Sequence, residues 1–521
     1  MMIHKNEKQK YRIAVLLLFL LAAAVRLYRF GSVPGGMNQD GAMAAVDAKA
    51  LAQYGTDRLG MRYPVHLTAW SFGQMSALMS YLMAPVIRLA GLSAVSARVP
   101  PLIISFAGLA AVFLFAEESF GKKVSTAVLF LTAICPWHII QSRWALDCNL
   151  FPHFLAAGML FLRKGIRKKY CLYLSILFFG LSMYCYGISV YTVPVFLVFS
   201  AVYLVSGKKA KLSDILICAA VYLLISWPFL LCMAINFLKL KTIETPFFTI
   251  PFFPNTLRSS DILFFSKEPL SQLSANLRAT LGILFQKYNG YPCNEVKGFG
   301  TLYVLSVPFV LLGAAELLKH FRKNTGAALT WFMFLTGLLD GLITASVNIN
   351  RINLIFYPLL IFAGAGICKA VSFFRKFSPK AGKAALAAIA AGFIAAFSLF
   401  TFRYFTSYSD EISALFMEDF GQALTAVKDP RAEKYCITPD AQYKGFWYVS
   451  EVLTLFYHDI DAKFYQSSDF REQYEFRNPD LKKAPDENTV YVITEDYLDY
   501  FADTDFTVSQ FGRFYTAACE K

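Results

Sequence analysis

Charge is scarce in this chain: of 521 residues only 17% are Asp, Glu, Lys or Arg, against about 25% in soluble domains. That deficit excludes a string of three or four soluble domains of about 150 residues each. Ten cysteines in 521 residues are too few for a dense disulfide framework. There is no G-x-x-x-x-G-K-[ST] loop, no G-x-G-x-x-G after a strand, no H-E-x-x-H and no C-x-x-C. ATP hydrolysis on a phosphate loop, dinucleotide redox chemistry and the common zinc sites therefore lack support. No N-x-[ST] sequon with a non-proline middle residue occurs, which favours a bacterial cell membrane over the secretory pathway. No internal repeat and no low-complexity linker is present.

What is abundant is apolar surface. The chain is 56% hydrophobic and 16% aromatic, with 50 Phe and 28 Tyr and a mean hydropathy of +0.45. Residues of that kind do not stay solvated, so disorder is excluded. The composition is that of an α-helical polytopic membrane protein. The net charge of +14 hides two environments. Residues 403–521 hold 12 Lys and Arg against 22 Asp and Glu, a balance of −10, whereas residues 1–402 carry +24.

A bilayer core about 30 Å thick takes roughly 20 apolar residues at 1.5 Å each. Eleven such stretches are predicted, at 12–30, 99–116, 124–141, 150–162, 170–187, 189–205, 214–236, 301–318, 326–347, 352–368 and 384–402. With the N-terminus inside, the inner segments hold 22 Lys and Arg, while the three short outer loops hold only Arg143 and Arg351. Basic residues in short loops resist translocation, so the N-terminus is placed in the cytoplasm. The first helix keeps Arg26 and Arg29 in its last turns and is followed by no small-residue cleavage site, which makes it an uncleaved span. Residues 1–402 are thus expected to form a transmembrane module with long outer loops 31–98 and 237–300. Residues 403–521 are expected to form an acidic extracytoplasmic α/β domain, with strands at 434–438, 490–494 and 506–517 and helices at 412–427 and 446–457. The pieces 42–54 and 71–89 suggest amphipathic helices resting at the membrane interface. The stretch 245–254, rich in Pro and Phe, suits irregular chain on the outer leaflet.

The carboxylates and cations at the outer face are the candidates for chemistry. Asp40 lies in Met37-Asn38-Gln39-Asp40-Gly41-Ala42, about ten residues beyond the first span. The alternative reading is a turn or helix cap. Asp147 lies in Ser142-Arg143-Trp144-Ala145-Leu146-Asp147, four residues after Arg143, where the alternative is an interfacial ion pair. Arg351 stands in a short outer loop, alternatively as a snorkelling anchor. A carboxylate with arginines suits transfer from a phosphate-linked donor, where a base takes the acceptor's proton and cations hold the departing phosphate. The triplets Asp459-Ile460-Asp461 and Asp503-Thr504-Asp505 are read as solvated acidic surface, since a metal and nucleotide-sugar site would need cytoplasmic substrate.

In that order and topology, the chain resembles the GT-C integral-membrane glycosyltransferases. The matching features are Asp40 in the first outer loop, Ser96-Ala97-Arg98-Val99-Pro100 at the second span, Ser142 to Asp147 after the third, and Phe356-Tyr357-Pro358-Leu359-Leu360 with Gly364 after Arg351. It is most similar to their protein O-mannosyltransferase and aminoarabinose transferase branch, over roughly residues 10–400. The resemblance implies a sugar donor carried on a polyprenyl phosphate and transfer on the outer face to a protein, lipid or glycan acceptor. It also implies Asp40 as catalytic base, Asp147 as the second acidic position, and Arg98, Arg143 and Arg351 as donor-phosphate ligands. Many members have a second acidic residue beside the first, and here that place is Gly41. No cofactor follows from the motifs, and a divalent metal stays open.

His66, His138 and Asp340 are accessory candidates. Asp340 lies inside a predicted span, where a carboxylate is either a site or a hydrogen-bonded core group. Cys436 and Cys519 are both expected outside and within reach of pairing. A transporter or lipid flippase is the alternative function, though such proteins usually show symmetric halves, and a non-catalytic outer sensing protein is a further one. Nothing in the charge pattern asks for nucleic acid.

Overall fold

The structure, a computed structural model, describes residues 2–71, 73–254, 269–285, 289–344, 346–429, 432–442 and 444–519. The chain is mostly helical and divides into two compact units. One comprises Met1–Phe30, Pro101–Phe237 and Leu257–Tyr408; the other comprises Gly31–Pro100, Leu238–Thr256 and Ser409–Lys521. The first predicted outer loop therefore shares its unit with the C-terminal segment. Of the second predicted loop, residues 255–268 and 286–288 lie outside the described residues.

All eleven predicted spans fall on helices of the first unit or at its edge. Among the described residues six helices are long and apolar enough to cross a membrane: Ala94–Phe120, Ser189–Ser206, Leu212–Phe237, Thr325–Ile343, Asn353–Arg375 and Pro379–Tyr404. The other five are cut short or charged. The stretch 124–141 becomes Lys122–Ile134 and Pro136–Gln141, broken at Cys135. Pro136 has no N–H to give the Thr132 carbonyl, so the break leaves backbone acceptors that need partners. Arg26 supplies two of them, donating to the Thr132 and Ala133 carbonyls at 3.1 and 2.9 Å, and the Tyr303 hydroxyl donates to Ile134 at 2.8 Å. The wholly buried Arg26 is thus spent inside the protein.

Helix Asn353–Arg375 is the mostly buried centre of this unit, while Pro379–Tyr404 is a largely exposed helix of the same unit. Small residues bring the central helix close to Val307–Lys319. A Cβ on Gly313 would overlap the Phe362 carbonyl oxygen, and one on Gly366 the Phe309 carbonyl oxygen. Such close backbone approach is how helices associate where no water drives them together. Gly366→Ala is expected to destabilise the detergent-solubilised chain by about 1–3 kcal/mol through overpacking. Gly187→Ala, with nothing within 4 Å of the new Cβ, should melt like the parent. Equal melting temperatures for both variants would reject the packing argument.

The second unit carries a five-stranded sheet in the order Tyr474–Phe476, Lys434–Ile437, Thr489–Thr494, Phe514–Cys519, Phe506–Phe511. The first three strands are parallel and the last two antiparallel. The predicted strand 506–517 is in fact a hairpin, because Gly512 takes φ +57 and closes a two-residue turn with Arg513. The predicted helix 412–427 is two, Ser407–Leu415 and Glu418–Ala426, separated at Met417 in the left-handed region. Cys436 and Cys519 do not pair: both are free thiols, and strand Thr489–Thr494 lies between theirs. Two strand spacings, about 10 Å, exceed what a disulfide spans. Helix Gln39–Tyr54 is not an interfacial helix either. Its run Gly41–Ala48 is buried on every side, as an Ala-rich helix without a polar stripe must be.

His458 in this unit is buried, with Nε2 3.0 Å from the Leu424 carbonyl and Nδ1 3.1 Å from the Tyr474 hydroxyl. A carbonyl only accepts, so Nε2 carries a proton, and in the neutral ring Nδ1 accepts from the Tyr474 hydroxyl. Burial, against the opposing Leu424 bond, pulls its pKa down to about 4. The unfolded chain then binds this proton near 6.5 and the folded one only near 4, so stability present above about 6.5 is lost as pH falls towards 4. The loss should reach about 3 kcal/mol. Denaturant unfolding of the full chain at pH 7 and pH 4.5 measures it, and a His458→Gln variant with the same pH slope would refute it.

Candidate functional site

Asp40, His66 and Arg98 belong to the second unit, and Asp147, Arg143, Arg351, His138 and Asp340 to the first. Asp40 opens helix Gln39–Tyr54 in its first turn, with Asn38 in the cap position, so it is not itself the cap. A carboxylate in that turn is favoured by the helix dipole. It is half-buried, and its Oδ1 accepts a 2.7 Å hydrogen bond from Trp70 Nε1. The indole is fixed on a second side by Phe446, edge-on at 5.5 Å.

Trp70 is placed by a buried ion pair that sequence reasoning missed. Arg58 Nη1 donates to both Asp47 oxygens at 3.1 and 2.9 Å, and its backbone N–H to Oδ1 at 3.0 Å. The same guanidinium donates to the Thr68 and Ala69 carbonyls at 2.9 and 3.2 Å, the two residues preceding Trp70. Burial alone would lower the Arg58 pKa, but Asp47, Tyr465 and Asp57 outweigh it and hold the guanidinium above its ordinary value. Asp57, beside the pair, is pushed up to about 7 by burial and then by the Asp47 charge. Its Oδ1 still accepts from the Leu59 and Met61 amides at 3.0 and 2.8 Å, which closes the turn.

Arg98 shapes the chain leading to Asp40. Its guanidinium donates to the carbonyls of Gly31, Pro34 and Gly36 at 3.0, 2.8 and 2.6 Å, and it is fully buried. His66 is buried in strand His66–Thr68, edge-on to Phe253 at 6.0 Å. The acidic triplet at 459–461 is not simply solvated surface. Asp459 accepts from Lys49 Nζ at 2.7 Å and Asp461 from the Tyr54 hydroxyl at 2.7 Å, so both hold helix Gln39–Tyr54.

In the first unit Arg143 caps the C-terminus of helix Met2–Leu27. It donates to the carbonyls of Val25, Arg26, Tyr28 and Arg29 at 3.1, 2.6, 2.8 and 3.0 Å, the orphan acceptors of a helix end. Asp147 starts the turn Asp147–Asn149 and accepts from the Cys148 amide at 2.7 Å. Asn353 Nδ2 donates to the Cys148 carbonyl at 2.7 Å, which ties this loop to the one bearing Arg351. Arg351 Nη1 donates to the Ser346 carbonyl and hydroxyl, each at 2.8 Å. Asp340 is buried, with Oδ1 2.5 Å from the Thr192 hydroxyl.

His138 is part of a buried polar chain. Arg26 Nη2 lies 2.8 Å from His138 Nδ1, His138 Nε2 3.0 Å from the Tyr357 hydroxyl, and that hydroxyl 2.8 Å from His153 Nδ1. Because arginine only donates, His138 Nδ1 accepts, Nε2–H donates to Tyr357, and Tyr357 passes its proton donor to His153. Tyr357 belongs to the quoted Phe356-Tyr357-Pro358 stretch, but nothing in the sequence joins it to two histidines over 200 positions away.

Among the described residues no three His, Cys, Asp or Glu converge on a point that holds a metal, and Asp40 has Gly41 beside it.

An apolar helical unit and a mixed sheet unit, interleaved along the chain, make up a fold shared with solved GT-C glycosyltransferases. It is similar to ArnT, the aminoarabinose transferase of Cupriavidus metallidurans, solved bound to undecaprenyl phosphate. The two share 12% identity with a TM-score of 0.58 over 97% of this chain and 99% of that one. It is also similar to the archaeal oligosaccharyltransferase AglB of Archaeoglobus fulgidus, solved with an inhibitory peptide and a dolichol phosphate. There the figures are 12% identity and TM-score 0.57 over 87% of this chain and 64% of that one. No family model matches the sequence, and no curated protein does. The GT-C resemblance read from short motifs is borne out by the fold.

Proposed function

We propose that the chain is a membrane glycosyltransferase, moving a sugar from a polyprenyl-phosphate-linked donor to an extracytoplasmic acceptor by a single, inverting displacement. The observation that carries this reading is the end-to-end likeness of fold to a transferase that binds undecaprenyl phosphate. Asp40 is the base: as the acceptor's oxygen attacks the anomeric carbon, its proton passes to the Asp40 carboxylate. The bond from that carbon to the phosphate oxygen breaks, and polyprenyl phosphate leaves. Arg351 stabilises the departing phosphate as a charge-assisted donor, with Asp147 on the adjoining loop. The observed carbonyl contacts suit Arg98 and Arg143 to positioning the loops at residues 31–36 and 25–29 more than to gripping donor. The eleven-span topology, with N-terminus in the cytoplasm and residues 403–521 outside in a bacterial cell membrane, supplies the outer face on which this occurs.

Purified full-length chain in liposomes, given undecaprenyl-phosphate-linked hexoses and aminopentoses, should release undecaprenyl phosphate. Arg351→Ala should raise the donor KM or abolish release while leaving the melting temperature near the parent's. Absence of release from every donor tried would move the assignment to a flippase.

A further inference from the structure

The stretch 245–254, read from its composition as irregular chain, is in part a hairpin of the second unit. Strands Ile243–Glu244 and Thr249–Ile250 pair antiparallel, with Ile243 opposite Ile250. The tip between them, Thr245-Pro246-Phe247-Phe248, needs no water for its N–H groups. Thr245 N–H donates to the Phe248 carbonyl at 3.0 Å, Pro246 has no N–H, and the Phe247 and Phe248 amides donate to Thr245 Oγ1 at 3.3 and 2.9 Å. That hydroxyl in turn donates to the Phe248 carbonyl at 2.6 Å. On this closed turn Phe247 stands 78% exposed. Leu238, Leu240 and Ile243 are exposed as well, and Lys239 and Lys241, between them in sequence, are also exposed. At the base, Val65 N–H donates to the Thr249 carbonyl at 3.0 Å, which fixes the hairpin to the chain entering strand His66–Thr68.

We propose that this hairpin is a lipid anchor: its tip enters the apolar edge of the bilayer, and Lys239 and Lys241 engage the phosphates of anionic phospholipid headgroups. Exposed apolar side chains are normally scattered singly, whereas four of the ten residues 238–247 are large, apolar and exposed. A backbone that enters a medium without water must satisfy its polar groups internally, and the tip does so for every N–H it has. That leaves the tip no N–H to offer an added protein strand, so its side chains and not its backbone make the contact. Helix Leu212–Phe237, long and apolar enough to cross a membrane, ends six residues before Ile243, so the hairpin's base lies within roughly 20 Å of the end of a span. Residues 238–254 hold two lysines against one carboxylate, Glu244. Lysine stems lie along apolar surface while their ammonium groups reach the headgroups, and an apolar tip with flanking cations is held at an anionic interface by both attractions. Which leaflet receives the tip follows from the topology proposed above; the contact with lipid does not depend on it.

Photo-crosslinking measures the contact without sugar donor or acceptor, so its outcome is separable from that of the transfer reading. The full-length Phe247→p-benzoylphenylalanine chain is reconstituted in vesicles of phosphatidylethanolamine and phosphatidylglycerol, irradiated and digested, and adducts are read by mass spectrometry. Phospholipid adducts are expected on the peptide bearing position 247. None above background is expected for Ser509→p-benzoylphenylalanine, at an exposed polar position of the edge strand Phe506–Phe511. Phosphatidylglycerol should be over-represented among the adducts at 247, and adding Lys239→Gln with Lys241→Gln should cut that excess by about fivefold or more. Both lysines are exposed, so the added pair should leave the melting temperature in detergent unchanged. Crosslinks from position 247 to other residues of the same chain would overturn the proposal by showing the tip covered by protein, and crosslinks to a second copy would overturn it in favour of a dimer contact. Lipid adducts no more frequent at 247 than at 509 would overturn it too, and an undiminished phosphatidylglycerol excess without the lysines would overturn their part in it.

Discussion

Asp40→Asn is expected to lower turnover of a polyprenyl-phosphate sugar by a factor on the order of 10² to 10⁴, the range typical of a lost general base. The substitution is close to isosteric. Asn is tolerated in the first turn of a helix, and its oxygen can still accept the 2.7 Å bond from Trp70 Nε1. What disappears is the capacity to take a proton. Melting temperature should therefore stay near the parent's while single-turnover release of undecaprenyl phosphate collapses. If Asp40 only stabilised its helix, both quantities would stay put. Near-normal release by well-folded Asp40→Asn protein is the result that would remove Asp40 from the mechanism. Glu at this position should do little better than Asn, because the longer side chain moves the carboxylate by one methylene and a base must sit within hydrogen-bond reach of the proton it takes.

Arg58→Met should destabilise the chain by about 3–5 kcal/mol, the magnitude expected when one partner of a buried ion pair is removed and the other stays. Asp47 is 0% exposed, so its charge would have no solvent to turn to. The Thr68 and Ala69 carbonyls would lose their donors at the same time, releasing the strand end that carries Trp70. Thermal unfolding measures the first effect; the second predicts loss of transfer even below the melting temperature. Asp47→Asn combined with Arg58→Met should recover part of the stability, since the buried charge is then gone. A double variant as unstable as the sum of the singles would show that the pair is not coupled. Recovery of stability without recovery of transfer would support the positioning role of Arg58.

Composition and hydropathy were sufficient for the membrane class, for the helices beneath all eleven apolar stretches and for the acidic sheet segment, because these depend on local averages and on periods of a few residues. Asp40 was legible for a similar reason: one carboxylate in an Asn-Gln-Asp-Gly turn after an apolar helix is a local oddity. The roles of Arg98 and Arg143 were not. Their basic character on an outer face reads as phosphate binding, yet which acceptors they meet depends on which helix end or loop the fold leaves unsatisfied nearby. For Arg143 that is the end of a helix about 115 positions earlier. The break at Cys135-Pro136 was visible as a proline, but that Arg26 would donate to the freed carbonyls was decided only by packing. Trp70 and Arg58 lack any motif. A buried donor must find an acceptor wherever the chain closes, and at 30 positions' separation from Asp40 no periodicity records where that is. The sequence by itself determined the solvent each segment prefers, and the tertiary structure alone decided which polar atoms satisfy one another once that solvent is gone.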